Sequence, residues 1–484
     1  MALPDLWRCS ALEVVGLLRE RKVTPLELID VVELRVQATD GALNAIPTLC
    51  LDRARENARK FQAVNFANSS KPFFLHGLPI VVKDLTAVKG VRFTMGSLLF
   101  KDNVALYDDP LVETLKANGA IVIGKSNTPE FGAGANTYNA VFGETRNPWN
   151  TAWTPGGSSG GTAAAVAAGQ VWLGTGTDLG GSLRTPASFT GLVGFRTTPG
   201  TVPQEYRPSH KDPAALQLES VSGPMARNVA DLALMLDAMN QPHPRDPKSQ
   251  LRQRCPSFQD AVQDALAGRA NSRLRRIAWA PTLGGICQVD PEVQDICKRA
   301  TDWFATLDGT SVHEACPDLH DAQRVFQGVR AACYATLKDM VREPSRSLIN
   351  PDLLWQIEKG LAQTPEQTEA AEQGHAAYVS RVASFFQEYN LLCCPVVMVP
   401  PFDMKTRWVR RVQGKTGCQE YDNYVDWLTC TYAISLTNQP VLSVPCGVTA
   451  AGQPHGGRER RRKAVKKNSS SPKPTVGDST WQLG

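Results

Sequence analysis

Three short stretches of this 484-residue sequence gather residue types that can do chemistry. The first is Lys83, at the end of the apolar run Leu78-Pro-Ile-Val-Val82. A lysine there must keep its ammonium in water, pair it, or lose its proton as burial disfavours the charged form. Asp84 follows directly, but neighbouring side chains on a strand point to opposite faces, so it is a poor partner. The competing reading is that Lys83 marks the strand's exit into solvent. The second stretch is Gly156-Gly157-Ser158-Ser159-Gly160-Gly161, followed by an alanine-rich run. Flanking glycines let the backbone turn tightly, and the run starts a helix whose free N–H groups aim back at the serines. A flexible Gly/Ser linker competes, although a linker would not sit between the Asn147-Pro148-Trp149 turn and a good helix. A phosphate loop would end in Gly-Lys-Ser/Thr, which is absent. The string also satisfies G-x-S-x-G, but that elbow follows a strand, and the preceding NPWNTAWTP has no strand pattern. The downstream histidines His210, His243, His313, His320, His375 and His455 lie in polar or loop-like surroundings and read as surface residues, not as a base.

The third stretch is Gly174-Thr-Gly-Thr-Asp178-Leu-Gly-Gly-Ser182-Leu-Arg184. Two glycines before a serine let several backbone N–H groups point into one concavity, the physical form of an oxyanion hole. A bare tight turn is the alternative. Asp178 and Arg184 flank the loop and would pair to brace it.

The elements that must position these residues are readable from caps and periodicity. Ser10-Ala-Leu-Glu13 and Thr24-Pro25-Leu26-Glu27 fit capping boxes that open two N-terminal helices. The sequence predicts strands at 78–83, 120–123, 171–175 and 276–280. It predicts helices from Asp109-Pro110 to Gly119 and over 228–239, 290–307 and 321–341. This alternation favours an α/β layered fold. Residues 241–257 read as a surface excursion, not a domain boundary.

Composition excludes several classes. From Gly456 onward the chain carries a local net charge of +6, leaving about −1 for the rest, so no nucleic-acid or anionic-membrane partner is expected. The charged, Ser/Pro-rich tail 456–484 reads as disordered, or as a nuclear-localisation or anion-binding patch. Twelve cysteines lack CxxC or Cys/His metal spacing, and Cys393 and Cys394 read as buried thiols. With neither a secretory leader nor an 18-residue apolar span in the sequence, a reducing, cytoplasmic setting and no membrane span are expected.

Taken together the motifs resemble the amidase signature family. GKSNTPEFG, FGETRNPWN, PGGSSGGTAAAVAAG, LGTGTDLGGSLRTPASFTGLVGFR and ESVSGPMARNVADLALML occur in the family's order, with 75 positions from Lys83 to Ser158 and 24 from Ser158 to Ser182. The resemblance implies a single large domain over residues 6–455, with a mixed β-sheet core covered by helices on both faces. It implies Ser182 as nucleophile, Ser158, after a cis peptide, as bridging serine, and Lys83 as base. It further implies an oxyanion hole from the N–H groups of Leu179, Gly180, Gly181 and Ser182, with Ser159 hydrogen-bonding near the lysine. Gly132 aligns with a position lining the acyl pocket. The implied activity is hydrolysis of a small-molecule amide with no metal or organic cofactor, and a homodimer is left open.

The sequence departs from the family after Ser443-Val-Pro-Cys-Gly447, where a Gly-Leu-Pro-x-Gly-Leu-Gln strand and a closing helix are expected. A missing strand would leave an unpaired sheet edge. That departure motivates one alternative, an inactive amidase-like binding protein. The other is the amidotransferase component that releases ammonia from glutamine. Its Ser-Arg-Glu-Gly-Phe-Gly-type segment is not found between Arg330 and Tyr378, which favours a stand-alone amidase. The pocket walls are expected from residues 321–378 and 401–427, with Trp408, Tyr421, Tyr424 and Trp427 as apolar contacts.

Overall fold

Unbroken apolar runs make strands that must be covered on both faces, and the centre of the fold is built from them. The computed structural model describes residues 3–63, 71–205, 218–251, 257–269, 275–455 and 481–483. Its main sheet contains β1 (Thr48–Leu49), β2 (Pro79–Lys83), β3 (Ile121–Ser126), β4 (Leu173–Asp178), β5 (Val193–Arg196) and β6 (Val221–Ala226). It continues with β7 (Arg276–Trp279), β8 (Ser311–Glu314), β9 (Leu391–Pro395), β10 (Val441–Val444) and β11 (Trp481–Leu483). The spatial order is β1-β3-β2-β4-β6-β5-β10-β11-β9-β7-β8. Pairs β2–β3, β2–β4, β9–β7 and β7–β8 are parallel and the others antiparallel, so the sheet is mixed. Every residue of β2, β3 and β6 is buried, which requires cover on both faces. Two large apolar clusters pack on this one sheet, and Val444 of β10 touches both. The chain is therefore a single α/β domain.

The caps form as read. Ser10 and Thr24 each close a reciprocal capping box, and Asp109 and Asn228 accept hydrogen bonds from the first turns of their helices. No described helix is long and apolar enough to cross a membrane. The described cysteines form no disulfide, and Cys393 and Cys394 are buried.

Several boundaries differ from expectation for physical reasons. The strand expected at 171–175 runs instead over Leu173–Asp178. Gly174 and Gly176 are not turn signals there: a Cβ on Gly176 would lie 2.8 Å from Ser159 Oγ, so glycine permits close approach of the neighbouring loop. The helix expected at 321–341 stops at Ala335 and resumes as a short 3₁₀ turn at Lys338–Val341. His375 is not a surface residue. It lies on the inner face of the helix Pro365–Phe385 with Ala371, Tyr378 and Val382, and its Nε2 is 2.9 Å from the Leu436 carbonyl.

The C-terminal region corrects a further expectation. The basic run lies outside the described residues, but Trp481–Leu483 form a strand between β10 and β9. Gln482 is in register with Ser443 on one side and Cys394 on the other, so the edge expected to be open beside β10 is paired. The Trp-Gln-Leu alternation supplies the period-2 pattern that the basic run lacks.

One buried carboxylate ties the end of β4 to the helix Arg184–Thr190. Asp178 accepts from Nε and Nη2 of Arg184, each at 3.0 Å, and from the N–H groups of Gly181 (2.9 Å) and Leu183 (3.1 Å). Arg196 Nη1 lies 3.6 Å from the same carboxylate. Burial alone would raise the Asp178 pKa, but the two guanidiniums and these hydrogen bonds outweigh it and bring it down to about 2. Its stabilisation is thus present above the unfolded carboxyl's pKa of about 4 and is lost as pH falls towards 2, a contribution of roughly 2 kcal/mol. Thermal unfolding followed from pH 6 to pH 3 should show this acid limb, flattened in Asp178→Asn; an identical limb in the variant would assign it elsewhere. Arg184→Leu should cost about 3–5 kcal/mol because it strands a buried charge. A loss under about 1 kcal/mol in urea unfolding would mean that Arg196 alone suffices.

Candidate active site

Lys83 ends β2 and is fully buried, so it does not mark an exit into solvent. Its neighbour Asp84 faces elsewhere, taking Lys125 at 2.8 Å and the N–H and hydroxyl of Thr94 at 3.1 and 2.6 Å. Lys83 Nζ instead meets three hydroxyls: Ser158 at 2.7 Å, Ser159 at 2.9 Å and Thr177 at 2.8 Å. No carboxylate contacts it among the described residues. Burial pushes its pKa well below the ordinary lysine value, with the more distant Asp178 charge opposing in part. Thr177 went unnoticed in the sequence, although Thr175 and Thr177 share one face of β4. The Thr175 hydroxyl accepts from the Lys83 backbone N–H at 3.3 Å.

The Ser158–Ser159 loop leads into the helix Gly160–Ala167, and the peptide between Gly157 and Ser158 is cis. The helix N-terminus does not aim free N–H groups at the serines as expected. Gly160 N–H donates to Thr137 Oγ1 at 3.0 Å, and Gly161 N–H donates to the Asn127 carbonyl at 3.2 Å. Any Cβ on Gly161 would lie 2.3 Å from Asn127 N, so glycine is needed for this docking. Ser159 N–H donates to the Ser182 carbonyl at 3.2 Å, which joins the two serine loops directly.

The Ser182 loop is set by Asp178 below it and Thr431 beside it. Gly181 has φ +117°, and a Cβ there would fall 2.6 Å from the Thr431 side chain. The Thr431 hydroxyl donates to the Gly180 carbonyl at 2.6 Å. Because Gly181 N–H is committed to Asp178, it is not one of four free donors. The N–H groups of Leu179, Gly180 and Ser182 donate to no described residue.

Ser158, Ser182, Leu179, Gly180, Thr177 and Gly132 line one cavity of about 260 Å³. Gly132, at φ +71°, stands where a Cβ would come 3.4 Å from Ser158 Oγ. Lys83, Ser159, Asp178, Gly181 and Arg184 are not among the lining residues. Of the four aromatics expected in the wall only Tyr424 lines the cavity; Trp408, Tyr421 and Trp427 pack in the C-terminal core instead. The wall's other large side chains include Phe326, Arg330 and Tyr334 of the helix Ala322–Ala335. Their 3.6-residue spacing within the predicted helix was the available signal.

Comparison with known proteins follows this geometry. A sequence profile of the family described as Amidase matches residues 27–458. The chain is 31% identical over 452 residues to an acylamidase of Rhodococcus erythropolis, covering 92% of this chain and 90% of that one. It is 33% identical over 491 residues to the A component of a glutamyl-tRNA(Gln) amidotransferase from Anaeromyxobacter dehalogenans, covering 93% and 92%. Among solved structures, a bacterial aryl acylamidase of the amidase signature family superposes with a TM-score of 0.82 at 24% identity, over 98% of this chain and 92% of that one. A 6-aminohexanoate cyclic dimer hydrolase does so with a TM-score of 0.78, also at 24%, over 93% and 92%. Profile, relatives and fold agree, and the chain belongs to the amidase signature family of amide hydrolases.

Proposed function

We propose that Ser182 attacks the amide carbonyl, that Ser158 relays its proton to a neutral Lys83, and that an acyl-enzyme on Ser182 is then hydrolysed by water. The observation that carries this reading is the fully buried Lys83 Nζ, 2.7 Å from Ser158 Oγ and bonded only to hydroxyls. A neutral amine among three hydroxyls donates two N–H bonds and accepts one O–H. Ser159 has the Thr177 carbonyl at 3.3 Å as an outlet for its own proton, whereas Ser158 bonds to nothing else among the described residues. The Thr177 hydroxyl has no other partner among them either, but Ser158 stands in the loop that Ser159 N–H joins to the Ser182 carbonyl, so it is the hydroxyl suited to donate to Lys83 and draw a proton from Ser182, a serine being a weak nucleophile without such a base. The same path returns the proton to the leaving amine and later serves the attacking water. The N–H groups of Leu179, Gly180 and Ser182 would hold the negative carbonyl oxygen.

A second reading, ammonia release from glutamine within an amidotransferase, is supported by the relatives named as components of such enzymes. Glutaminase activity that appears only with added partner proteins and charged tRNA would favour it over a stand-alone amidase. An inactive binding protein is the remaining alternative.

A fluorophosphonate probe should label Ser182 in the folded chain; no labelling would support the inactive scaffold. Ser182→Ala should lower turnover by about 10⁶-fold, and Ser158→Ala by about 10²–10⁴-fold. Near-native turnover in the first, or a change of only a few-fold in the second, would reject the corresponding role. Because burial lowers the Lys83 pKa, kcat/KM should rise with pH through an ionisation below the ordinary lysine range of about 10.4 and then level off. Lys83→Ala should remove that limb along with most of the activity, and its survival in the variant would exclude Lys83 as the titrating base.

A further inference from the structure

We propose that the substrate carries a carboxylate, and that Arg330 is the residue that reads it. The proposal deepens the amide-hydrolase reading by naming the substrate's chemical class. Among the described residues lining the cavity that also holds Ser158 and Ser182, Arg330 is the single charged side chain. It comes from the helix Ala322–Ala335, whose Phe326, Arg330, Cys333 and Tyr334 face the cavity at helical spacing.

Arg330 is 6% exposed and makes no ion pair with any described residue. Its Nε donates to Gln356 Oε1 at 3.0 Å, and its Nη2 donates to the Tyr424 and Tyr334 hydroxyls at 2.7 and 3.3 Å. All three acceptors are neutral. Asp426 accepts at 2.6 Å from Gln327 on the same helix and at 2.6 Å from Asn423, and does not contact Arg330. Nη1 donates to nothing among the described residues. The guanidinium centre lies 4.7 Å from the Tyr334 ring centroid and 5.7 Å from that of Tyr424, so two aromatic faces hold it in place.

A buried charge without a counter-ion is expensive, and a guanidinium cannot shed its proton to escape the cost. Phenols, an amide and ring faces orient the group without neutralising it. That leaves the two N–H groups of Nη1 uncommitted in the cavity that Ser158 and Ser182 also line, whose other described lining is apolar or uncharged. A carboxylate can accept a charge-assisted hydrogen bond from that nitrogen and supply the missing negative charge. A neutral substrate of the same shape would bury the guanidinium further and return nothing.

The test measures binding by calorimetry to the full-length chain carrying Ser182→Ala, so that it does not depend on turnover. Two pairs of matched shape place the carboxylate on either side of the amide: glutaric acid monoanilide against 5-methylhexananilide, and 4-acetamidobenzoate against 4-isopropylacetanilide. In at least one pair the carboxylate member should bind about 10-fold or more tightly. Adding Arg330→Gln should bring that ratio near one, and Arg330→Lys should keep part of it. Ratios near one in both pairs would overturn the proposal. So would a preference that Arg330→Gln leaves intact, since a merely structural role would weaken both members alike. If Arg330→Gln does not fold, the ratios in the Ser182→Ala chain alone decide. Fluorophosphonate labelling of the unmodified chain tests the hydrolase reading separately, so failure of one is distinguishable from failure of the other.

Discussion

Asp178 is buried among partners that come from four directions. It closes β4, takes both ends of the Arg184 fork, holds the N–H groups of Gly181 and Leu183, and draws in Arg196 from β5. Each bond restrains a different part of the turn that presents Ser182. The Arg184 guanidinium extends the brace to the Thr431 carbonyl at 3.0 Å and the Ser435 hydroxyl at 2.6 Å, so the helix Thr429–Ser435 is fixed by the same group. The Ser182 loop therefore takes its order from this brace.

Lys83 presents the complementary problem. Where Asp178 is kept charged by two cations, Lys83 is buried among hydroxyls and driven towards neutrality. Burial acts on both, and the choice of neighbours sends them in opposite directions. The adjacent Asp84, which could have neutralised the lysine as an ion pair, is turned away by the strand's alternation and used by Lys125. The two residues follow each other in sequence and live in separate networks.

Much of this was legible in the sequence. The Asp178–Arg184 pairing follows from two opposite charges flanking a glycine turn, and the separation of Lys83 from Asp84 follows from strand geometry. The helix starts at Ala11, Pro25 and Pro110 follow from their caps. What was not legible depends on long-range packing. That Gly181 N–H is consumed by Asp178 needs the turn's actual shape. That β4 runs through Gly174 and Gly176 needs the neighbours those glycines admit. His375, in a helix of low overall hydrophobicity, could not be known as buried until the face it occupies was known. Arg330 lay in a segment read as a helix and as part of the pocket wall, and its lack of a counter-ion among the described residues is a property of its neighbours in space rather than of its surroundings in the chain. The pairing of Trp481–Leu483 with β10 and β9 joins segments separated by the long basic run, beyond the reach of any local pattern.

The charges beneath the Ser182 loop do not cancel. One carboxylate faces two guanidiniums, all fully buried, so among the described residues this cluster carries one positive charge in excess. The unclaimed N–H dipoles of Leu179, Gly180 and Ser182 add to it. The hollow is thus polarised before any substrate arrives. On the proposed mechanism, electron density pushed onto a carbonyl oxygen there would be drawn towards that positive charge, and little would have to reorient.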